Sequence, residues 1–270
     1  MQQTTPHKPI TSRDNTIVKY IGSLAVPKHR KKEHAFRIEG VKMVEEALRD
    51  RSGVTMIVAA PGLVQHHGKG ILKLAESRTV DVLWISATLM DALSESKTPQ
   101  PVMAVVKMRD HSEDELFSRD QGLIVVAHQL QDPGNLGTII RTAEAVGASG
   151  MAFTPQTVDP YNAKAIRASM GSVLRLPIVD VGDVNLFVKK CKQRGYQIIA
   201  TVLRGYKTHF DVDMKQRTVV ILGQEGMGLP QDLMVDVDVR IQIPMAASIE
   251  SLNVATAAAV ILYEAMRQRR

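Results

Sequence analysis

Apolar residues along the chain recur in two periods that alternate from one end to the other. Short runs rich in β-branched residues are separated by stretches in which apolar positions return every three or four residues. In the first hundred residues "VTMIVAA", "VDVLWIS" and "VMAVVKM" read as strands, and "GILKLAES" reads as a helix. "RIEGVKMVEEAL" places Val41, Val44, Ala47 and Leu48 at helical spacing. After a polar, proline-bearing tail over 1–12, this pattern predicts a small α/β domain over 13–109. Residues 110–121, "HSEDELFSRDQG", are charged and poor in apolar positions, the composition of an interdomain linker with room for one helical turn. The alternation then resumes over 122–270 with "LIVVAH", "GNLGTIIRTAEAVG", "GMAFTP", "NAKAIRASMGS", "RLPIVDV", "VNLFVKKCKQRG", "YQIIATVL", "TVVILG", "VRIQIP" and a last helix from about Ser251. Such alternation predicts an α/β fold with a mainly parallel sheet covered on both faces. Ligands of such sheets lie beyond the carboxyl ends of the strands.

Composition narrows the function classes. A chain of 270 residues, 44% hydrophobic and 23% charged, is long enough to bury two modest cores without disulfides. The single Cys191 excludes an intramolecular disulfide, reads as a core or half-buried thiol, and leaves no metal-binding motif. No window reaches the roughly 18 apolar residues of a membrane span, and "MQQTTPHKPITSRDN" lacks the apolar core of a signal peptide, so a cytoplasmic location is expected. Aromatic content of 4% argues against stacking platforms as the main binding device. The net charge of +6 points to an anionic partner, and its densest run is "KHRKKEHAFR" at residues 28–37. Within it Arg30, Lys31 and Lys32 are candidates to track the phosphates of a nucleic acid; a solvated basic loop is the plainer alternative.

Three strand ends carry residues that packing alone does not explain. After "LIVVAH", Asp132 or Asn135 is placed to cap a helix, and Pro133 and Gly134 make the turn into it. Arg141 then stands among apolar residues of that helix, where its forked guanidinium suits a phosphate. After "TVVIL", the run "GQEGMGLP" puts three glycines in six residues and includes Glu225. Its glycine order differs from the dinucleotide fingerprint, and no Lys-Ser or Lys-Thr pair follows to make a P-loop. The third is "IPMAASIESLNVATAAAVILYE", where an apolar strand gives way to an alanine-rich helix across a polar knuckle of Glu250, Ser251 and Asn253. Ser251 is placed to cap that helix, and the other polar groups are left to serve a ligand.

In this order and at these separations, the three stretches resemble the motifs of the SpoU/TrmH family of RNA ribose 2'-O-methyltransferases. The likeness extends over residues 123–270, and the domain before it resembles the L30e-like RNA-binding domain often attached in front. Within the family, the 23S ribosomal RNA methyltransferases and thiostrepton-resistance enzymes are the subgroup resembled. The resemblance implies a SPOUT domain with a deep trefoil knot, S-adenosylmethionine as methyl donor, no metal, and a homodimer packed through the knotted domains. It implies a cofactor wall at Gly223, Gly228, Ile243, Met245 and Leu252, and functional polar residues at Asn135, Arg141, Glu225, Ser251 and Asn253. Ala247 and Gln224 depart from the family pattern, which favours glycine at the first position and asparagine at the second.

The implied reaction is an in-line methyl transfer to a ribose hydroxyl of structured RNA. Ribosomal RNA is favoured over transfer RNA, because the basic leading domain suits recognition by shape and phosphates. A guanidinium is too weak a base to accept the proton, which assigns Arg141 to phosphate and alkoxide binding. A non-catalytic RNA-binding or ribosome-assembly module is the competing class, and a nucleotide-binding oxidoreductase is disfavoured by the glycine order.

Overall fold

The computed structural model describes residues 9–50, 52–65, 68–224, 228–246 and 251–270. The described chain separates into two compact units that divide at residues 109 and 110, with residues 161–163 grouped with the first.

The first unit contains α1 (Thr16–Ser23), α2 (Pro27–Glu33), β1 (Ala35–Glu39), α3 (Val41–Arg49), β2 (Val54–Ala59), α4 (Lys69–Ser77), β3 (Asp81–Trp84), α5 (Ala87–Leu93) and β4 (Val102–Lys107). Its four-stranded sheet has the order β1-β4-β2-β3, with β4 antiparallel to both neighbours and β2 parallel to β3. The expected strands and the helices at α3 and α4 form where the periodicity placed them. The pattern alone did not mark α1 or α5. Asn15 starts α1 by accepting from the N–H groups of Ile17 and Val18 at 2.9 and 3.3 Å. Val18, Ile21 and Leu24 then enter a core shared with Val58, Ile85, Leu89 and Met90.

The basic run is a helix rather than a loop, and its three candidate residues separate. Lys31 and Lys32 are exposed on α2. Arg30 is turned inward, only 3% exposed, and donates to the carbonyl oxygens of Leu24 and Ala25 at 2.8 and 2.7 Å. It thereby closes the carbonyl end of α1, a structural role that withdraws it from the phosphate-tracking set.

The second unit contains α6 (Glu113–Leu116), β5 (Leu123–Ala127), α7 (Pro133–Ala145), β6 (Gly150–Phe153), α8 (Ala163–Ser169), β7 (Ile178–Asp180), α9 (Val184–Gln193), β8 (Gln197–Thr201), β9 (Lys207–Thr208), β10 (Thr218–Leu222), β11 (Val239–Gln242) and α10 (Val254–Gln268). All strands of its sheet, ordered β7-β6-β5-β10-β8-β11-β9, run parallel. Every residue of β5 and β10 is buried, the pattern of central strands covered on both faces. On one face Phe187, Val188 and Cys191 of α9 pack with Ile124, Val126, Ile198, Val219 and Ile221. Burial pushes the Cys191 thiol up to about 12, so it stays protonated as a core side chain.

The stretch that reads as a linker contributes to this core. Ser112 and Glu115 form a capping box around α6, and the fully buried Leu116 joins the α9 cluster. Elsewhere in the unit α10 packs against α7.

The carboxyl end of α10 is tied down by hydrogen bonds of Gln268 and Arg269, with Glu264 beneath them. Gln268 accepts from the N–H of Met214 at 2.7 Å and donates to the carbonyl of Val212 at 3.0 Å. Arg269 donates to the carbonyls of Met214 and Gln216 at 2.8 and 2.7 Å. Glu264, 8% exposed, accepts from Arg267 at 2.7 and 2.8 Å and from Gln268 at 2.8 Å. The Arg267 hydrogen bond, aided by Gln268 and opposed by burial, pushes the Glu264 carboxyl from 4.5 down to about 2.

A depressed folded-state pKa stabilises the fold above the unfolded value and loses that contribution as pH falls through the folded one. Glu264→Gln is therefore expected to unfold at lower urea than wild type at neutral pH. The gap should narrow as pH falls from about 4.5 toward about 2, as parallel urea titrations would show.

Candidate active site

The second unit holds a cavity of about 470 Å³ over the carboxyl ends of the adjacent strands β10, β8 and β11. Thr201, Val202 and Leu203 line it from β8, Gly223, Gln224 and Gly228 from the turn after β10, and Ile241, Ile243 and Met245 from β11 and its continuation. Ser251, Leu252 and Asn253 close it from the start of α10, with Val254, Ala257 and Ile261 beneath. All five residues expected at the cofactor wall thus line one cavity, together with Ser251 and Asn253. The segments meet there because parallel neighbours deliver their carboxyl ends to the same edge of the sheet.

The glycine turn is tightly closed. Gln224 and Gly228 form an antiparallel bridge in which the Gly228 N–H donates to the Gln224 carbonyl at 3.0 Å. A Cβ on Gly223 would come within 2.8 Å of the backbone of Gly228 and 3.0 Å of the Leu229 side chain. Only glycine lets the two arms of this turn approach so closely. Glu225 and Ala247 lie outside the described residues, as does Glu250.

Asn253, not Ser251, caps α10. Its Oδ1 accepts from the N–H groups of Ala255 and Thr256 at 2.9 and 3.3 Å. Its Nδ2 donates to Oδ1 of Asn135 at 3.0 Å. Ser251 is left exposed on the cavity wall, free of helix-capping duty. Asp132 caps α7 by accepting from the Asn135 N–H at 2.8 Å, which settles the choice between the two candidate caps. Lys164 of α8 binds the same carboxylate at 2.6 Å. The Lys164 hydrogen bond first, and the Asn135 N–H second, hold the Asp132 carboxyl below its usual range.

Arg141 lies on the exposed face of α7, two helical turns beyond the cap, and does not line the cavity of its own chain. Among the described residues it has neither an ion pair nor a hydrogen-bonded side-chain partner. The described cavity wall contains no ionisable side chain at all. Its polar groups are backbone amides and carbonyls at strand ends, the hydroxyls of Thr201 and Ser251, and the amides of Gln224 and Asn253. Thr201, Val202 and Leu203 were not singled out from the sequence, because nothing in a strand ending "IIATVL" separates a cavity lining from a core.

A parallel sheet with a cavity over three adjacent strand ends is the arrangement in which α/β domains bind small molecules. Residues 122–263 match the SpoU rRNA Methylase family, and residues 15–104 match the MRM3-like substrate binding domain. The 23S rRNA (guanosine(2553)-2'-O)-methyltransferase RlmP of Bacillus subtilis (strain 168) is 33% identical over 263 residues, covering 95% of this chain and 98% of that protein. The 23S rRNA (uridine(2479)-2'-O)-methyltransferase of Streptomyces viridochromogenes is 32% identical over 277 residues, covering 99% and 95%. Among solved structures, the SpoU methyltransferase AviRb from Streptomyces viridochromogenes in complex with the cofactor AdoMet superposes with a TM-score of 0.83 at 31% identity. That superposition covers 94% of this chain and 98% of the other. The chain belongs to the SpoU rRNA Methylase family, as its three motifs implied.

The double use of Asn253 separates stability from site geometry. Asn253→Ala is expected to destabilise the second unit by roughly 1 kcal/mol through loss of the cap. Asn253→Asp keeps an acceptor for Ala255 and Thr256 and should unfold near the wild-type urea midpoint, while losing the donor to Asn135.

Proposed function

We propose that the chain transfers a methyl group from S-adenosylmethionine to the ribose 2'-hydroxyl of a nucleotide in structured RNA, with 23S ribosomal RNA as the substrate class. The observation that carries this reading is the meeting of the three motif segments. The glycine turn, the residues after β11 and the start of α10 enclose one cavity, and Asn253 ties that cavity to Asn135 of the first motif.

The residues present fit the cofactor. A volume of about 470 Å³ falls within the roughly 300–1,000 Å³ of small-molecule sites. Ile243, Met245 and Leu252 supply apolar walls, and Gly223 and Gly228 bring backbone close without side chains in the way. When bound, S-adenosylmethionine supplies an electrophilic methyl on a sulfonium cation. Among the described residues the wall carries no cation, which suits the sulfonium, since a protein cation there would repel it.

Asn135, Ser251 and Asn253 orient the sugar beside the cavity, and the Asn253 cap holds this edge in place before substrate arrives. The guanidinium of Arg141 grips the adjoining phosphate and stabilises negative charge developing on the 2'-oxygen, while the hydroxyl proton passes to that phosphate or to water. Glu225 is assigned to the same polar edge from its place in the second motif. Lys31 and Lys32 of α2 contact RNA phosphates in the first unit.

Arg141 serves the cavity of a second copy. This assignment rests on its exposure on α7, away from its own cavity, and on exposed apolar residues of the helix packed against α7. Val260 and Tyr263 are exposed on α10, which packs on α7, and a homodimer through these helices covers them. The trefoil knot belongs to the same reading, as the family resemblance implies. A cytoplasmic location accords with a ribosomal RNA substrate.

Two experiments test the arrangement. Arg141→Ala and Leu252→Arg proteins should each transfer no methyl group; the second sets a long cationic chain in the cavity wall and should abolish S-adenosylmethionine binding by calorimetry. Co-refolded in equal amounts, about half the dimers are mixed, and one of the two sites in each mixed dimer is intact. Tritium transfer to RNA should then return to roughly a quarter of wild type, whereas a site built within one chain leaves it at background.

Lys31→Ala/Lys32→Ala should lower the log–log salt slope of RNA binding by at most about 2 and leave cofactor affinity unchanged. Arg30→Ala should instead lower the unfolding midpoint of the first unit, because it uncaps α1.

A further inference from the structure

Three aromatic side chains are exposed among the described residues: Tyr206, Phe210 and Tyr263. Two of them fall in one segment, "LRGYKTHF" at 203–210, which leaves the end of β8 and runs beside the cavity. Leu203 is part of the cavity wall and yet 68% exposed. Three residues on, Tyr206 is 88% exposed, and Phe210 is 64% exposed.

The backbone under these rings is firmly held. A Cβ on Gly205 would lie 2.8 Å from the backbone of Arg240 and Ile241, so the chain here rests directly on β11. The Gly205 N–H donates to Oε1 of Gln242 at 3.0 Å, and the His209 N–H donates to the Gln242 carbonyl at 3.2 Å. Between them β9 pairs with β11, Lys207 opposite Ile241, which is itself a cavity residue. Asp211 accepts from both the N–H and the hydroxyl of Thr208, at 3.0 and 2.7 Å. A large aromatic ring is therefore projected into solvent from a backbone pinned on both sides. Ordering such a ring against a ligand costs little conformational entropy, since only two side-chain torsions remain free.

The charges around the ring indicate its partner. Arg204 and Lys207 flank Tyr206, both exposed, and the next acid along the chain, Asp211, is engaged by Thr208. An apolar protein surface covering Tyr206 would have to desolvate both cations with nothing in return. A nucleic-acid strand offers a base face for the ring and phosphates for the cations. We propose that Tyr206 is a stacking platform for an unpaired base of the substrate RNA beside the cavity, with Arg204 and Lys207 on the adjoining phosphates. This rests on the methyltransferase reading and adds to it a residue that positions the target segment by a sequence-tolerant contact. Tyr206 is a positioning residue, since it does not line the cavity.

The test uses the full chain, saturated with S-adenosylhomocysteine, and unmodified 23S rRNA transcribed in vitro. Affinity is read by filter retention across a salt series, cofactor affinity by calorimetry, and assembly by sedimentation. Tyr206→Ala should weaken RNA binding by about tenfold, in the range of a single base–aromatic stack, with an unchanged salt slope. Tyr206→Phe should stay within about twofold of wild type, because the ring and not the hydroxyl makes the stack. Arg204→Ala and Lys207→Ala should each lower the salt slope by up to about 1. Cofactor affinity and assembly state should be those of wild type in all four.

Wild-type RNA affinity in Tyr206→Ala overturns the proposal, and so does a Tyr206→Phe protein as weak as Tyr206→Ala. A Tyr206→Ala protein that changes its assembly state also overturns it, and assigns the patch to a second protein copy. Wild-type protein that binds this RNA but transfers no methyl group to it overturns the methyltransferase reading alone, because the stacking result is read from binding.

Discussion

One asparagine holds the functional edge of the second unit together. The Oδ1 of Asn253 satisfies two N–H groups at the start of α10, and its Nδ2 reaches the side chain of Asn135 in the first turn of α7. Asn135 is in turn fixed by the Asp132 cap, which Lys164 also binds. Two helix starts, more than a hundred residues apart in the chain, are thus joined by one side-chain hydrogen bond between residues whose own helix caps hold them in place. Ser251 and Leu252, just before Asn253, lie on the cavity wall. The far end of α10 is nailed down as firmly, through Glu264, Gln268 and Arg269.

What the cavity lacks shapes the chemistry. With no ionisable side chain in its described wall, binding depends on backbone groups, amides and shape. In the same unit exposed cations lie off the described wall: Arg141 on the exposed face of α7, and Arg204 and Lys207 on either side of Tyr206. This separation fits a protein that must hold a cationic cofactor and a polyanionic substrate together. Cations placed in the wall would oppose the first, and acids placed outside would repel the second.

Much of the fold was legible because burial on both faces writes a strong signal. β5 and β10 are unbroken apolar runs, and α7, α9 and α10 repeat at the helical period. α1 and α5 escaped because they are short, and the two residues of β9 are too few to show any period. The residues of the glycine turn and the start of α10 could be singled out for an equally local reason: a glycine cluster, and more polar groups than one cap requires. Leu203 and Tyr206 gave no such sign. An exposed leucine or tyrosine is identical in sequence to a buried one, and only the pinning of 205–209 on β11 turns the ring outward.

The sequence by itself determined the alternation of strand and helix, the three motifs and the family, since periodicity, turn chemistry and motif spacing are all local properties of the chain. Tertiary structure decided which polar group does what. Sequence offered Ser251 as the cap of the last helix and Arg30 as a phosphate ligand; packing gave the cap to Asn253 and buried Arg30 against the carbonyls of Leu24 and Ala25. Each of these side chains can make several hydrogen bonds of similar worth. The choice falls to whichever backbone groups would otherwise be left buried without a partner, and that is settled only when the elements come together.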